Sequence, residues 1–253
     1  MEMNNIGFKL IEYIPFIIVG VFVLILFYSR YKDKKRKEGI NQLITECGFN
    51  FEDVNSLLNS FGGDISNGFF RGEEINLSKT SIDFFSKGHS RKANNIFSVP
   101  YNNGKIFFFD YKYTVGSGKN STTYFLVASL FRSSNSIAPF RLRPENFFDK
   151  VTALVGYNDI DFEHRPLFSK KYYLKSNDEI GVRNLFNDML IEFFESNLNF
   201  YAESNNNIMA IYKYSLLDTQ NYLTFIDDVK NILTLMKVWI SYKNLTKYLQ
   251  SEK

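Results

Sequence analysis

From Tyr13 to Ser29 the chain reads YIPFIIVGVFVLILFYS, an uncharged run, and the next nine residues, RYKDKKRKE, carry six bases against two acids. A bilayer core about 30 Å thick needs roughly 20 mostly apolar helical residues to cross it. Ile6, Phe8, Leu10 and Ile11 extend the run, and Lys9 and Glu12 lie close enough to the interface for their charged ends to reach water. Pro15 is expected in the first turn, where its missing N–H forfeits no bond. Tyr13 and Tyr28 sit where amphipathic rings favour the headgroup layer. A cleaved signal peptide would place its bases before the apolar core and a small-residue site after it, and here neither holds. A buried core helix would rarely lead straight into so dense a basic cluster. The pattern therefore predicts one membrane-spanning helix. The basic flank marks the cytoplasmic side, with the N-terminus outside. The chain divides into an anchor at 1–29, a basic juxtamembrane segment at 30–39 and a cytoplasmic domain at 40–253.

Beyond the anchor, apolar residues at helical spacing predict helices over 40–61, interrupted at Gly48 and ended by Gly62-Gly63. Alternation over Ile75–Phe85 predicts a strand, with Ile82 and Phe84 on one face and Asp83 on the other. The strongest β pattern is 95–131, read as a three-stranded antiparallel meander. Its first turn is Tyr101-Asn-Asn-Gly104, with Asn103-Gly104 as the hairpin pair. In its long middle strand Phe107, Phe109, Tyr111 and Tyr113 face one way and Phe108, Asp110 and Lys112 the other. Its second turn is Gly116–Asn120. Short strands follow at Ile137–Leu142 and around Tyr172–Leu174, with a helix over Glu145–Leu154 between them. Ser176 and Glu179 form a capping box. The helix it opens carries one apolar stripe through Val182, Leu185, Phe186, Met189, Leu190, Phe193 and Phe194. A hairpin turns at Ser204–Asn207, and a long amphipathic helix runs from Leu223 to about Leu249. The predicted class is α+β: a single transmembrane helix, then a mainly antiparallel β domain with an amphipathic helix and a long C-terminal helix.

Charge narrows the partners. Residues 1–39 hold seven bases and four acids, which is the whole net charge of +3, and after Gly39 23 bases meet 23 acids. The domain is neutral, so nucleic acid is not an expected partner. The bases Arg30, Lys32, Lys34, Lys35, Arg36 and Lys37 are expected to set topology and to meet anionic lipid headgroups, at about 1 kcal/mol each near the surface. The expected partner is the lipid bilayer, with a protein partner as a further option. Phe and Tyr number 27 and 16, too many aromatics for a disordered tail and enough for a strand-rich core. One cysteine, Cys47, forms no internal disulfide, in keeping with a reducing compartment, and is expected as a buried thiol.

Chemistry is harder to find. Gly116-Ser-Gly-Lys-Asn-Ser121 lacks the spacing, the Ser/Thr and the following helix of a phosphate loop, and reads as a turn. His89 and His164 form no metal-ligand pair, and no serine sits in a nucleophile elbow. No cofactor and no metal is expected. A polar cluster is the only candidate left. Asp110, mid-strand among aromatics, needs a partner, for which Arg141 or Arg143 is the expected source. Glu145 lies nearby in sequence, and Asp159, Asp161 and Glu163 alternate as on a charged edge strand. If these groups converged in one cleft they would suit acid–base chemistry; otherwise the domain reads as a non-catalytic interaction module. A third option is assembly through the C-terminal helix, which requires Trp239, Ile240 and Leu249 to be exposed.

The segments FDYxY (109–113), PFxLxPE (139–145), DIDF (159–162), PxFS (166–169), Tyr173-Leu174 and DExxVRxLF (178–186) come in this order. Together the chain resembles a family of bacterial membrane-anchored proteins built from one or two N-terminal hydrophobic segments and a cytoplasmic α+β domain. The likeness covers roughly 100–215. It implies the fold, the anchoring and a bacterial inner-membrane location, and it carries over no activity and no catalytic residue. Ala138 stands where the family pattern has a larger apolar residue before the proline.

Overall fold

The computed structural model describes residues 3–67, 73–145 and 159–237. The first helix, α1 (Met3–Glu46), runs without a break through the apolar segment, the basic cluster and on into the domain. At 1.5 Å per residue its 44 residues span about 66 Å. Pro15 lies inside it, not in its first turn. The helix there forgoes one backbone hydrogen bond.

Among the described residues ten strands follow in chain order. They are β1 (Asn50–Phe51), β2 (Asp64–Asn67), β3 (Glu73–Asn76), β4 (His89–Tyr101), β5 (Gly104–Val115), β6 (Thr122–Arg132), β7 (Phe140–Pro144), β8 (Tyr172–Lys175), β9 (Tyr201–Asn205) and β10 (Ile208–Lys213). Eight of them form one antiparallel sheet in the order β1-β4-β5-β6-β10-β9-β7-β8, and β2 and β3 pair as a separate hairpin. The remaining helices are α2 (Val54–Phe61), α3 (Asp83–Ser86), α4 (Pro166–Lys171), α5 (Glu179–Leu185), α6 (Asp188–Ser196) and α7 (Thr219–Leu235).

The period-2 alternation of β5 feeds two cores. Phe108 faces the larger core, with Phe97, Ile40, Leu43 and Ile44 of α1, and Phe225 and Val229 of α7. Phe107, Phe109, Tyr111 and Tyr113 face the other, against Leu57, Leu58 and Phe61 of α2 and Phe84 and Phe85 of α3. The sheet is thus covered on both sides, and the chain folds as α+β. The meander β4-β5-β6 forms as an antiparallel three-stranded unit, Phe108 pairing with Phe97 and with Ser129. Its first turn is shifted by one residue, because Tyr101 pairs with Gly104 and the loop pair is Asn102-Asn103. Asn102 takes the left-handed conformation, φ 49°, which asparagine tolerates better than most residues.

Several local expectations are corrected. Residues 40–46 are the last turns of α1, not a separate helix. Ile75–Phe85 is no single strand: β3 stops at Asn76 and a turn leads into α3, which buries the neighbours Phe84 and Phe85 together. The stripe over 182–194 belongs to two helices. The first ends at Leu185, Asn187 caps α6 by accepting from Leu190 N–H, and Met189 is left exposed. The cap of α5 is Asp178, which accepts from Gly181 N–H, while Ser176 accepts from Asp178 N–H. The helix expected over Glu145–Leu154, and the stretch of the C-terminal helix with Trp239, Ile240 and Leu249, lie largely or wholly outside the described residues.

Candidate functional site

Arg36 precedes Ile40 by four residues on α1, so the two share a helix face. Ile40, Leu43 and Ile44 are buried, and that face therefore turns Arg36 inward while Arg30, Lys32, Lys34, Lys35 and Lys37 remain exposed. Its guanidinium meets Asp110 in a two-pronged pair, Nη2 to Oδ1 at 2.9 Å and Nη1 to Oδ2, and its Nε donates to the Leu217 carbonyl at 2.8 Å. The side chains are 17% and 8% exposed. The strand partner of Asp110 in β4 is Asn94, and a register shift just beyond it puts Asn95 at φ 50°. Such a bulge re-aims a side chain, and here it lets Asn95 Nδ2 donate to Asp110 Oδ2.

Asp110 does need a partner, as its setting implies, but the partner is neither Arg141 nor Arg143. Arg36, grouped by sequence with the bases expected to meet headgroups, instead ties α1 to the sheet. One turn further on, α1 crosses the start of α7 so closely that a Cβ at Gly39 would sit 2.5 Å from Thr219 Oγ1. Beneath the pair lies Tyr222. Its ring is fully buried, and burial followed by the charge of Asp110 pushes its phenol well above its ordinary range. Its hydroxyl has no hydrogen-bond partner among the described residues. Removing an unsatisfied buried hydroxyl recovers about 1–3 kcal/mol of desolvation. Tyr222→Phe is accordingly expected to raise the midpoint of chemical denaturation, and a lower midpoint would show that the hydroxyl is bonded in solution.

Above the pair a cleft of about 470 Å³ opens between α1 and the sheet, lined among others by Lys37, Lys112, Asn94, Phe51, Phe125 and Leu216. Its charged lining is balanced, Asp33, Glu52 and Asp110 against Arg36, Lys37 and Lys112, and its rim is apolar. Phe51, Phe125 and Leu216 are 58%, 46% and 41% exposed.

The other predicted residues do not gather there. Arg141 bonds Asp83 at 3.0 Å and reaches Glu203 on the opposite face of the sheet, four strand steps or about 19 Å from β5. Arg143 stacks over the Tyr173 ring at 4.4 Å. The N–H of Glu145 donates to the Lys171 carbonyl. Asp161 and Glu163 are exposed, the Asp161 carbonyl accepts from Arg183, and the stretch 159–163 is not a strand. His164 is exposed and faces Asp188. Cys47 is exposed, not buried. No group of three or more His, Cys, Asp or Glu among the described residues is arranged to hold a metal.

Asp159 is the exception in its chemistry. It accepts from Leu174 N–H, and burial, helped by the charges of Asp161 and Glu145, pushes its carboxyl up to about 6. The native state then holds this proton more tightly than the unfolded chain does. Stability therefore falls as pH rises through the window from about 4 to about 6. Asp159→Asn keeps an acceptor for Leu174 and removes the charge. The variant is expected to be more stable than the parent by about 1 kcal/mol at pH 7 and indistinguishable from it at pH 4. Denaturation curves at the two pH values check this.

Comparison with known proteins leaves the site to speak for itself: no family model, no curated protein and no solved structure matches the chain.

Proposed function

We propose that this is a single-pass, membrane-anchored interaction module whose domain binds a protein or lipid headgroup at the membrane surface without transforming it. The observation that carries the reading is the continuity of α1. Among the described residues one helix is long and apolar enough to span a membrane, and its apolar window makes no buried contact with the domain. The same helix ends inside the domain core and is fixed there by Arg36 and Asp110. A core helix would have buried its apolar window. A cleaved leader would not share one unbroken helix with core residues. The likeness to bacterial membrane-anchored proteins and the basic flank support an inner-membrane location with the domain in the cytoplasm.

The rival reading, an enzyme using a carboxylate cleft, rests on Asp110, Arg141 and Asp159–Glu163 acting together. The arrangement does not favour it, because Asp110 is neutralised by Arg36 and Arg141 lies on the other face. The test is crosslinking and affinity capture from native membranes, with a second sample in which Lys32, Lys34, Lys35 and Lys37 are changed to Gln. The reading expects a partner or a bound anionic lipid that depletes in the second sample. Turnover of a metabolite by the purified protein with no enriched partner would overturn it. A C-terminal reporter active only outside the cytoplasm would overturn the orientation.

A further inference from the structure

The direction of α1 across the sheet can be read from its contacts. Arg36 lies level with Asp110 and Leu217, and Gly39 level with Thr219. From there α7 runs past Phe108, which Phe225 touches, to Tyr101, whose hydroxyl bonds Thr234. Tyr101 pairs with Gly104 at the far end of the β4–β5 hairpin. From Arg36 onward, then, α1 heads toward the Gly104 end of β5. Its apolar segment, which precedes Arg36, points the other way, toward the end of β5 at Val115 and the turn into β6.

That end protrudes. Residues 115–125 are all exposed, an unbroken run containing Val115, Lys119, Tyr124 and Phe125. Val115, Tyr124 and Phe125 are 43%, 40% and 46% exposed. By register Val115 and Tyr124 lie on one face of the hairpin and Phe125, opposite Lys112, on the other. The tip thus presents apolar groups on both sides. Residues 111–125 contain two lysines and no acid. Reach is sufficient. Five strand residues from Asp110 to Val115 extend about 17 Å, and about 12 Å even if the strands incline 45° to the helix. The seven helical residues back from Arg36 to Ser29, where the apolar segment ends, extend about 10 Å.

We infer that the β5–β6 hairpin tip is a second membrane contact, in which Val115, Tyr124 and Phe125 enter the headgroup layer of the same bilayer that α1 crosses, with Lys112 and Lys119 meeting anionic headgroups. Tyrosine at the interface and lysines that extend to the headgroups are the side chains such a contact requires. The domain is then held at two points and presents one fixed side to the membrane. This rests on the reading that α1 spans the bilayer.

The test uses the full chain in vesicles of phosphatidylcholine and phosphatidylglycerol. Cys47→Ser removes the native thiol, and a single environment-sensitive fluorophore is attached at Leu24→Cys, Lys119→Cys or Asn103→Cys. Lipids spin-labelled at the headgroup and along the chain serve as quenchers. Leu24 is expected to be quenched by chain-labelled lipid, Lys119 to be blue-shifted and quenched by headgroup-labelled lipid, and Asn103, in the turn at the other end of β5, to show neither. Adding Val115→Glu and Phe125→Glu should return the Lys119 label to its aqueous emission while Leu24 stays quenched. If Leu24 is quenched and Lys119 behaves like Asn103, the hairpin contact is wrong and the anchor stands. If Leu24 is not quenched, the anchor reading fails as well. A Lys119 signal that the double glutamate leaves unchanged would show that the tip has no affinity of its own for the membrane, which overturns the inference.

Discussion

Arg36→Ala will destabilise the domain by about 3–5 kcal/mol, because it leaves the Asp110 carboxylate 8% exposed with only Asn95 to bond it. A domain of this size loses about 2–4 °C of Tm per kcal/mol, so the thermal midpoint in detergent should drop by roughly 10 °C. Arg36→Lys will not rescue it. One ammonium cannot bond both carboxylate oxygens and the Leu217 carbonyl in the geometry the guanidinium fork supplies. The decisive comparison is with the double variant Arg36→Ala/Asp110→Ala. With neither charge left in the site, most of the loss should be regained, and the coupling between the two positions should be large. If the single and double variants unfold alike, the pair does not fix the helix to the sheet and another contact must do so.

The same pair shows where sequence reading reaches its end. The meander over β4–β6 is legible because alternation, hairpin turns and aromatic content are local signals that all agree. The burden on Asp110 is legible too, since a lone carboxylate between Phe109 and Tyr111 must be answered. The identity of its partner is not, because Arg36 stands 74 positions away in a cluster whose composition speaks of lipid. A signal did exist: Arg36 is the one base of the cluster placed four residues before Ile40, on the stripe that continues into the core. The stripe from Val182 to Phe194 misleads for a related reason. Two short helices in succession can keep a 3.6-residue period, and only the cap at Asn187 reveals the break. Over Ile75–Phe85 the adjacent buried Phe84 and Phe85 already contradict strict alternation, which the helical turn of α3 explains. The sequence suggests Arg141 or Arg143 for Asp110, whereas Arg141 meets Asp83 and Glu203, because strand order, which sets distance across a sheet, is not a local property.

The carboxylates Arg141 does meet give the second large effect. Glu203 is 3% exposed on β9. It accepts from the Tyr212 hydroxyl and from Asp83 N–H at the start of α3, and it lies beside Arg141, which is its register partner in β7. It therefore joins α3 to three strands across the second core. Glu203→Ala removes the acceptor from a buried phenol and a backbone N–H at once and opens a void. A loss of about 3–4 kcal/mol is expected in denaturant unfolding. Glu203→Gln retains a carbonyl oxygen to accept from Asp83 N–H, and its amide can donate to the Tyr212 oxygen after that hydroxyl rotates, so it should lose less. The pH dependence separates the two roles of this side chain. Burial, only partly offset by the Tyr212 and Asp83 hydrogen bonds and by Arg141, raises its carboxyl above the ordinary glutamate range. The native state therefore binds the proton more tightly than the unfolded chain. Stability is highest below the unfolded value and declines as pH climbs through the raised one. The Gln variant carries no such proton, so its stability should fall less than the parent's over that window. A parent and a Gln variant with parallel pH profiles would mean that Glu203 is charged at no net penalty, with Arg141 compensating its burial in full.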